Sequence, residues 1–128
     1  MTTFQDLGLS PQILQALPEL GIETPSEIQE RAIPLLLGEY TDFIGLAQTG
    51  TGKTAAFGLP LLDAIDINQR HTQALVLAPT RELGQQIAEQ FKAFSKYKKG
   101  LECLAVYGGA SITGQMKDLK RVKQVIIA

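Results

Sequence analysis

The sequence predicts an α/β protein built on a parallel sheet with helices on both faces. Three observations point there. From residue 41 onward, short apolar runs suited to buried strands alternate with helix-compatible runs. A glycine-rich stretch, Ala47-Gln48-Thr49-Gly50-Thr51-Gly52-Lys53-Thr54, joins the apolar run Phe43-Ile44-Gly45-Leu46 to the helix start Thr54-Ala55-Ala56-Phe57. The turns at 47–54, 79–81 and 107–111 all fall at strand carboxyl ends, where such sheets bind ligands, so they are expected to share one face.

Taken in order, Ser10 before Pro11 opens a helix, the cap preceding proline at the first helical position. That helix should run towards Glu19, bend or end near Pro18, and stop at Gly21. Thr24-Pro25-Ser26-Glu27 reads as a second start, with Thr24 as cap and Glu27 closing a capping box. Pro34 should kink or end this helix, and Gly38-Glu39-Tyr40 should turn. Residues 43–46 suit a buried strand. The helix from Gly52 should continue to Ile65, with Pro60 disturbing it. Residues 73–78 form the next strand, closed by Pro79. Thr80 can cap a helix with Leu83, Ile87, Phe91 and Phe94 on one face. Residues 101–107 are a strand, Ser111 opens a helix through Leu119, and residues 124–128 start a further strand.

The 128 residues lie within the range of one domain, and 45% hydrophobic content is ordinary for a globular protein. No apolar run approaches the roughly 18 residues of a membrane span. The start, Met1-Thr2-Thr3-Phe4-Gln5-Asp6, lacks the basic flank and apolar core of a signal peptide. Cys103 is the single cysteine; it excludes an internal disulfide and fits a reducing, cytoplasmic location, and its surroundings read as strand rather than nucleophile. Net charge is −1, yet residues 1–66 hold nine acids against two bases while residues 89–128 hold eight bases against three acids. That asymmetry permits a polyanion on the later segment, and it is equally compatible with solvated helix faces.

Residues 47–54 read as a phosphate-binding loop. Glycines at 50 and 52 can take backbone angles other residues avoid, turning the loop amides inward at the positive end of the following helix. Lys53 would reach the β- and γ-phosphates, and the Thr54 hydroxyl would ligate Mg²⁺. Ala47 replaces the first glycine of the strict G-x-x-x-x-G-K-[ST] pattern. Pro79-Thr80-Arg81-Glu82-Leu83 puts Arg81 and the Thr80 hydroxyl at a helix start, where a phosphate fits; a capped helix with Arg81 in solvent explains it as well. Gly108-Gly109 allows close approach of a backbone or phosphate chain, or is plain loop geometry. Gln29 can read an adenine edge with donor and acceptor together, or be a surface helix glutamine. Phe4 can stack on a base or anchor the terminus in an apolar groove. His71 sits in a polar loop and reads as surface; no metal-ligand cluster or nucleophile–histidine pair is present in the pattern.

Together these stretches resemble the opening part of a DEAD-box RNA helicase. Gly21-Ile22-Glu23-Thr24-Pro25-Ser26-Glu27-Ile28-Gln29 is similar to that family's Q motif, with Phe4 as its upstream aromatic. Ala47 to Thr54 is similar to its motif I, where alanine is usual first. Pro79 to Leu83 is similar to motif Ia, and Gly108-Gly109 to the double-glycine element. The resemblance implies a RecA-like P-loop fold. It implies ATP and Mg²⁺ as cofactors, and RNA as a partner held by its backbone. Gln29, Phe4 and Thr24 would form the adenine pocket. Gln48, Thr49, Gly50, Thr51, Gly52, Lys53 and Thr54 would hold phosphates and metal, with Lys53 and Thr54 catalytic. Thr80, Arg81, Gly108 and Gly109 would touch RNA.

The Asp-Glu-Ala-Asp motif, the Ser-Ala-Thr motif and a second RecA-like domain are absent. In the family, strands carrying the absent motifs lie centrally in the sheet. The expectation is therefore a helical Q-motif segment at 1–40 and a partial ATP-binding domain at 41–128, the first part of a longer helicase and inactive alone. The parent would hydrolyse ATP while locally separating RNA duplexes. Two other readings remain: a P-loop ATPase acting on DNA or protein, and a non-catalytic nucleotide-binding module.

Overall fold

Pro11 follows Ser10 and opens the first helix, α1 (Pro11–Leu14), with Ser10 in extended conformation before it. The computed structural model describes residues 1–38 and 41–128, so the expected turn at 38–40 lies partly outside the described residues. The chain forms two units, Met1–Ala64 with Ala93–Lys98, and Ile65–Lys92 with Lys99–Ala128.

In the first unit α1 is shorter than its pattern suggests. Pro18 has no N–H for the Leu14 carbonyl, which accepts instead from Leu17 at 3.3 Å, and the chain continues as a 3₁₀ turn, Pro18–Leu20. The Ser10 hydroxyl does not cap its own helix; it donates to the Asp63 carboxylate, which also accepts from Ser10 N at 3.3 Å. Helix α2 (Glu27–Leu37) starts at Ser26, not Thr24. Helix α3 (Lys53–Ala64) packs against it. Pro34 and Pro60 end neither helix: each removes one backbone bond, and buried neighbours hold the helix through it. Those neighbours include Ala32, Ile33, Ala55, Ala56, Leu59 and Leu62, all under 5% exposed.

Residues 43–46 form no strand. Ile44 and Leu46 are 90% and 91% exposed. An extended run needs a neighbour to take its backbone N–H and C=O groups, and no described strand pairs with this one.

The last turn of α3 is closed from far away in sequence. Lys98, 7% exposed, donates from Nζ to the carbonyls of Leu62 and Asp63, both at 2.8 Å. These belong to the four carbonyls a helix leaves unpaired, and a cation there also suits the helix dipole. Lys98→Met keeps most of the stem and removes the donors. It is expected to cost about 1–3 kcal/mol in a urea titration; an unchanged midpoint would show that water replaces the ammonium without penalty.

The second unit carries the sheet. Strands β1 (Ala74–Val76), β2 (Cys103–Ala105) and β3 (Val125–Ile127) are all parallel, in the order β1-β3-β2. Ala74, Val125 and Cys103 stand in register, as do Val76, Ile127 and Ala105. Val125 and Ile127 on the central strand are fully buried, whereas Leu75, on the other face, is 62% exposed. Buried Gln124 ties β3 to the start of β2, accepting from Glu102 N at 2.8 Å and donating to Gly100 O at 2.9 Å. Helix α4 (Arg81–Phe94) buries Ile87, Phe91 and Phe94, the stripe its spacing predicts, while Leu83 stays 36% exposed. Helix α5 (Ile112–Asp118) is capped by Ser111, whose hydroxyl accepts from Gly114 N at 3.2 Å. Cys103 is a buried strand residue, and burial pushes its thiol up to about 12, far from a reactive thiolate at neutral pH. No helix among the described residues is long and apolar enough to cross a membrane.

Candidate functional site

The glycine-rich stretch leads straight into α3. Gly50 and Gly52 both have φ of +81°, the left-handed region that side chains disfavour. Gly52 O accepts from Ala56 N at 3.1 Å, so the loop ends as the helix begins. Lys53 is the first helical residue and is exposed; Thr54 is half-buried. Gln48, Thr49 and Gly50 are exposed, and Thr51 is half-buried with its hydroxyl donating to Gln48 O at 2.6 Å. A helix of this length with free first-turn amides and an adjacent lysine is suited to an anion.

The start of α2 holds this loop. Gln29, 5% exposed, accepts at Oε1 from Ser26 N at 2.9 Å and donates from Nε2 to Gly52 O at 3.1 Å. Ser26 Oγ donates to Thr51 O at 2.7 Å. The sequence holds two overlapping capping boxes, Thr24 with Glu27 and Ser26 with Gln29. The second forms because its members also satisfy loop carbonyls at 51 and 52. Ser26 is thus a site residue that the sequence reading passed over, and the Ser-x-x-Gln spacing was its signal. Gln29 is no surface glutamine. A carboxamide has two N–H groups and two lone pairs, and one of each remains for a further partner.

Phe4 is 3% exposed. Of its two expected roles, anchoring the terminus is the one its burial supports, since little ring face is left for a base. Thr24 is exposed at a bend, two residues before the α2 cap. Thr54 offers one hydroxyl oxygen to a metal, and no group of three or more His, Cys, Asp or Glu capable of holding a metal occurs among the described residues.

In the second unit the turns at 79–81 and 107–109 come together at the carboxyl ends of the strands. They border a cavity of about 210 Å³ with Ala78, Gly84, Ala105 and Ala128. Thr80 Oγ1 accepts from Leu83 N at 3.2 Å, capping α4 as expected. The Arg81 guanidinium lies 6.0 Å from the Tyr107 ring centre and 3.6 Å from the Glu82 carboxylate. Gly109 has φ of +85°, and a Cβ there would stand 2.8 Å from Arg81 Nη1. Gly108, by contrast, faces open space. Tyr107 was not foreseen as a site residue. Its backbone is clamped by Gln115, which accepts from Tyr107 N and donates to Tyr107 O, both at 3.0 Å. Arg81, Thr80 and Gly108 thus present a cation, a hydroxyl and open backbone on one surface. That set suits a phosphate chain rather than a base edge.

The family model for DEAD/DEAH box helicases matches residues 26–128. The ATP-dependent RNA helicase DeaD of Buchnera aphidicola is 52% identical over 98% of this chain and 21% of its own length. The chain thus spans about a fifth of the length of the curated relatives it matches. Among solved structures, a DEAD box protein from the hyperthermophile Methanococcus jannaschii is 36% identical with a TM-score of 0.90, covering 98% of this chain and 34% of that one. Dbp5 of S. cerevisiae, bound to RNA and ADP BeF3, is 32% identical with a TM-score of 0.81, covering 98% and 31%. The fold is that of the RecA-like domains of these proteins, and the chain belongs to the DEAD/DEAH box helicase family.

Proposed function

We propose that this chain supplies the nucleotide site and part of the RNA site of an ATP-dependent RNA helicase, which couples ATP hydrolysis to local separation of RNA duplexes. The observation that carries the reading is the loop at 48–52. Two left-handed glycines shape it, the start of α3 backs it, and Gln29 bonds it from behind.

In this reading Gln48, Thr49, Gly50, Thr51 and Gly52 turn their amides to the phosphates, and Lys53 neutralises the β- and γ-phosphates. Mg²⁺, when bound, spreads the developing phosphate charge. Thr54 would supply one oxygen to hold it. Gln29 uses its remaining N–H and lone pair on the adenine edge, next to Thr24. Its existing bond to Gly52 then links base recognition to the phosphate loop. Thr80, Arg81, Gly108 and Gly109 hold the RNA sugar-phosphate backbone, which makes binding largely independent of sequence. The single buried cysteine suits a reducing, cytoplasmic setting.

Calorimetric titration of the chain with ADP and with GDP tests this. ADP is expected to bind and GDP not to. Lys53→Ala should weaken ADP roughly 10- to 100-fold, since a hydrogen bond to a charged group contributes about 1.5–3 kcal/mol. Equal affinity for both nucleotides would remove the adenine-reading role of Gln29, and no binding of either would refute the nucleotide site in this chain.

A further inference from the structure

At the amino ends of β1 and β3, opposite to the turns at 79–81 and 107–109, two loops meet. Thr72 Oγ1 donates to Lys123 O at 2.8 Å, and Gln73 N donates to Gln124 O at 2.8 Å, so residues 70–72 and 119–123 are held side by side. Between them lies a cavity of about 170 Å³ bordered by Arg70, His71, Lys120, Arg121 and Lys123. Arg70, Lys120 and Arg121 are exposed. Of these cations only Lys123 has a carboxylate partner among the described residues, Glu102 at 3.8 Å. The chain as a whole is slightly acidic, with a net charge of −1, so this concentration of unpaired positive charge is local.

Like charges gathered on a fixed backbone repel one another, and a visiting polyanion relieves that repulsion. The cavity is smaller than the roughly 300–1,000 Å³ of small-molecule sites, and no Phe, Tyr or Trp borders it as a platform for a base. The arrangement suits phosphate groups passing over a surface. We infer that the 70–72/119–123 face is a second RNA contact, which takes the phosphodiester backbone of a single strand without reading its bases. In naming RNA as the polyanion, this rests on the function proposed above. The two contacts are separated by the length of the strands: seven residues from Thr72 to Pro79 span roughly 23 Å. A short strand can occupy one of them, while a long strand can reach both.

The test is fluorescence anisotropy with labelled oligouridylates of about 8 and about 30 nucleotides, titrated with the chain across a range of salt concentrations. The variants are Arg70→Gln/Lys120→Gln/Arg121→Gln and, separately, Arg81→Gln. Circular dichroism confirms that each is folded, and Lys120→Gln alone serves if the triple variant is not. For the long strand, the triple variant should lower the slope of log K against log salt by about 2, three phosphates at about 0.7 each. Its affinity should fall about tenfold or more at low salt, and Lys120→Gln alone should lower the slope by about 0.7. An unchanged slope in the triple variant, with binding lost in Arg81→Gln, would overturn this inference and leave the proposed RNA site standing. Loss in neither variant would overturn both. Displacement of the long strand by polyglutamate as readily as by polyuridylate, with the same dependence on Arg70, Lys120 and Arg121, would also overturn it and assign the face to an acidic protein segment.

Discussion

A chain carrying Gly52→Ala is expected to be about 2–4 kcal/mol less stable and to lose measurable ADP binding. Two costs combine. Gly52 sits at φ +81°, where an L side chain costs about 1–2 kcal/mol. The new Cβ would also stand 2.2 Å from Gln29 Nε2 and 3.2 Å from its Cδ. The end of a free glutamine would swing aside, but Gln29 is buried and bonded at both ends of its amide. Moving it strands Ser26 N, at about 1–3 kcal/mol for a group left unpaired, and leaves Gly52 O only its bond from Ala56 N. Gly52 itself is exposed, so water recovers part of that loss. Gly50→Ala is the control. It has the same φ, yet nothing lies within 4 Å of its Cβ, so only the backbone cost of about 1–2 kcal/mol applies. Urea titration followed by circular dichroism gives both stabilities, and calorimetry gives the nucleotide affinities. Equal losses from the two substitutions would refute the contact between Gln29 and the loop as a source of stability.

Phe91→Ala is expected to cost about 3–5 kcal/mol, the range for removing a large side chain from a closed interior. Phe91 has no exposed surface. Leu83 occupies the same sequence stripe of α4 two turns earlier but is 36% exposed, so Leu83→Ala should cost under about 1 kcal/mol. The pair separates burial from periodicity, since spacing alone treats both positions alike. The same denaturant titrations decide it; a Phe91→Ala loss below about 1.5 kcal/mol would show that the helix collapses onto the vacancy.

Much of the local geometry of the candidate site was legible because its signals are local. Gly50 and Gly52 take left-handed angles, as the loop pattern requires, and Lys53 and Thr54 open the helix. Thr80 and Ser111 cap the helices they precede, because a cap depends only on residues within one turn. The alternation of apolar runs located all three strands, though each ladder is shorter than its run. The reading failed where one residue had two local options. Ser10 is placed as a cap but bonds Asp63, and Thr24 competed with Ser26 for the start of α2.

By itself, then, the amino-acid order determined most helix starts, the three stretches that pair in the parallel sheet, and the two left-handed glycines of the loop at 48–52. These depend on side-chain period, proline and glycine geometry, and capping within a few residues. Only the tertiary structure decided the rest. It buried Gln29 against Gly52 and closed α3 with Lys98. It brought Arg81 to Tyr107 and left residues 43–46 unpaired. Each of those outcomes turns on whether a backbone or side-chain group finds a partner from a segment distant in sequence. Nothing in the local pattern states which segment that is, and an unmatched N–H or carbonyl costs enough to override the local preference.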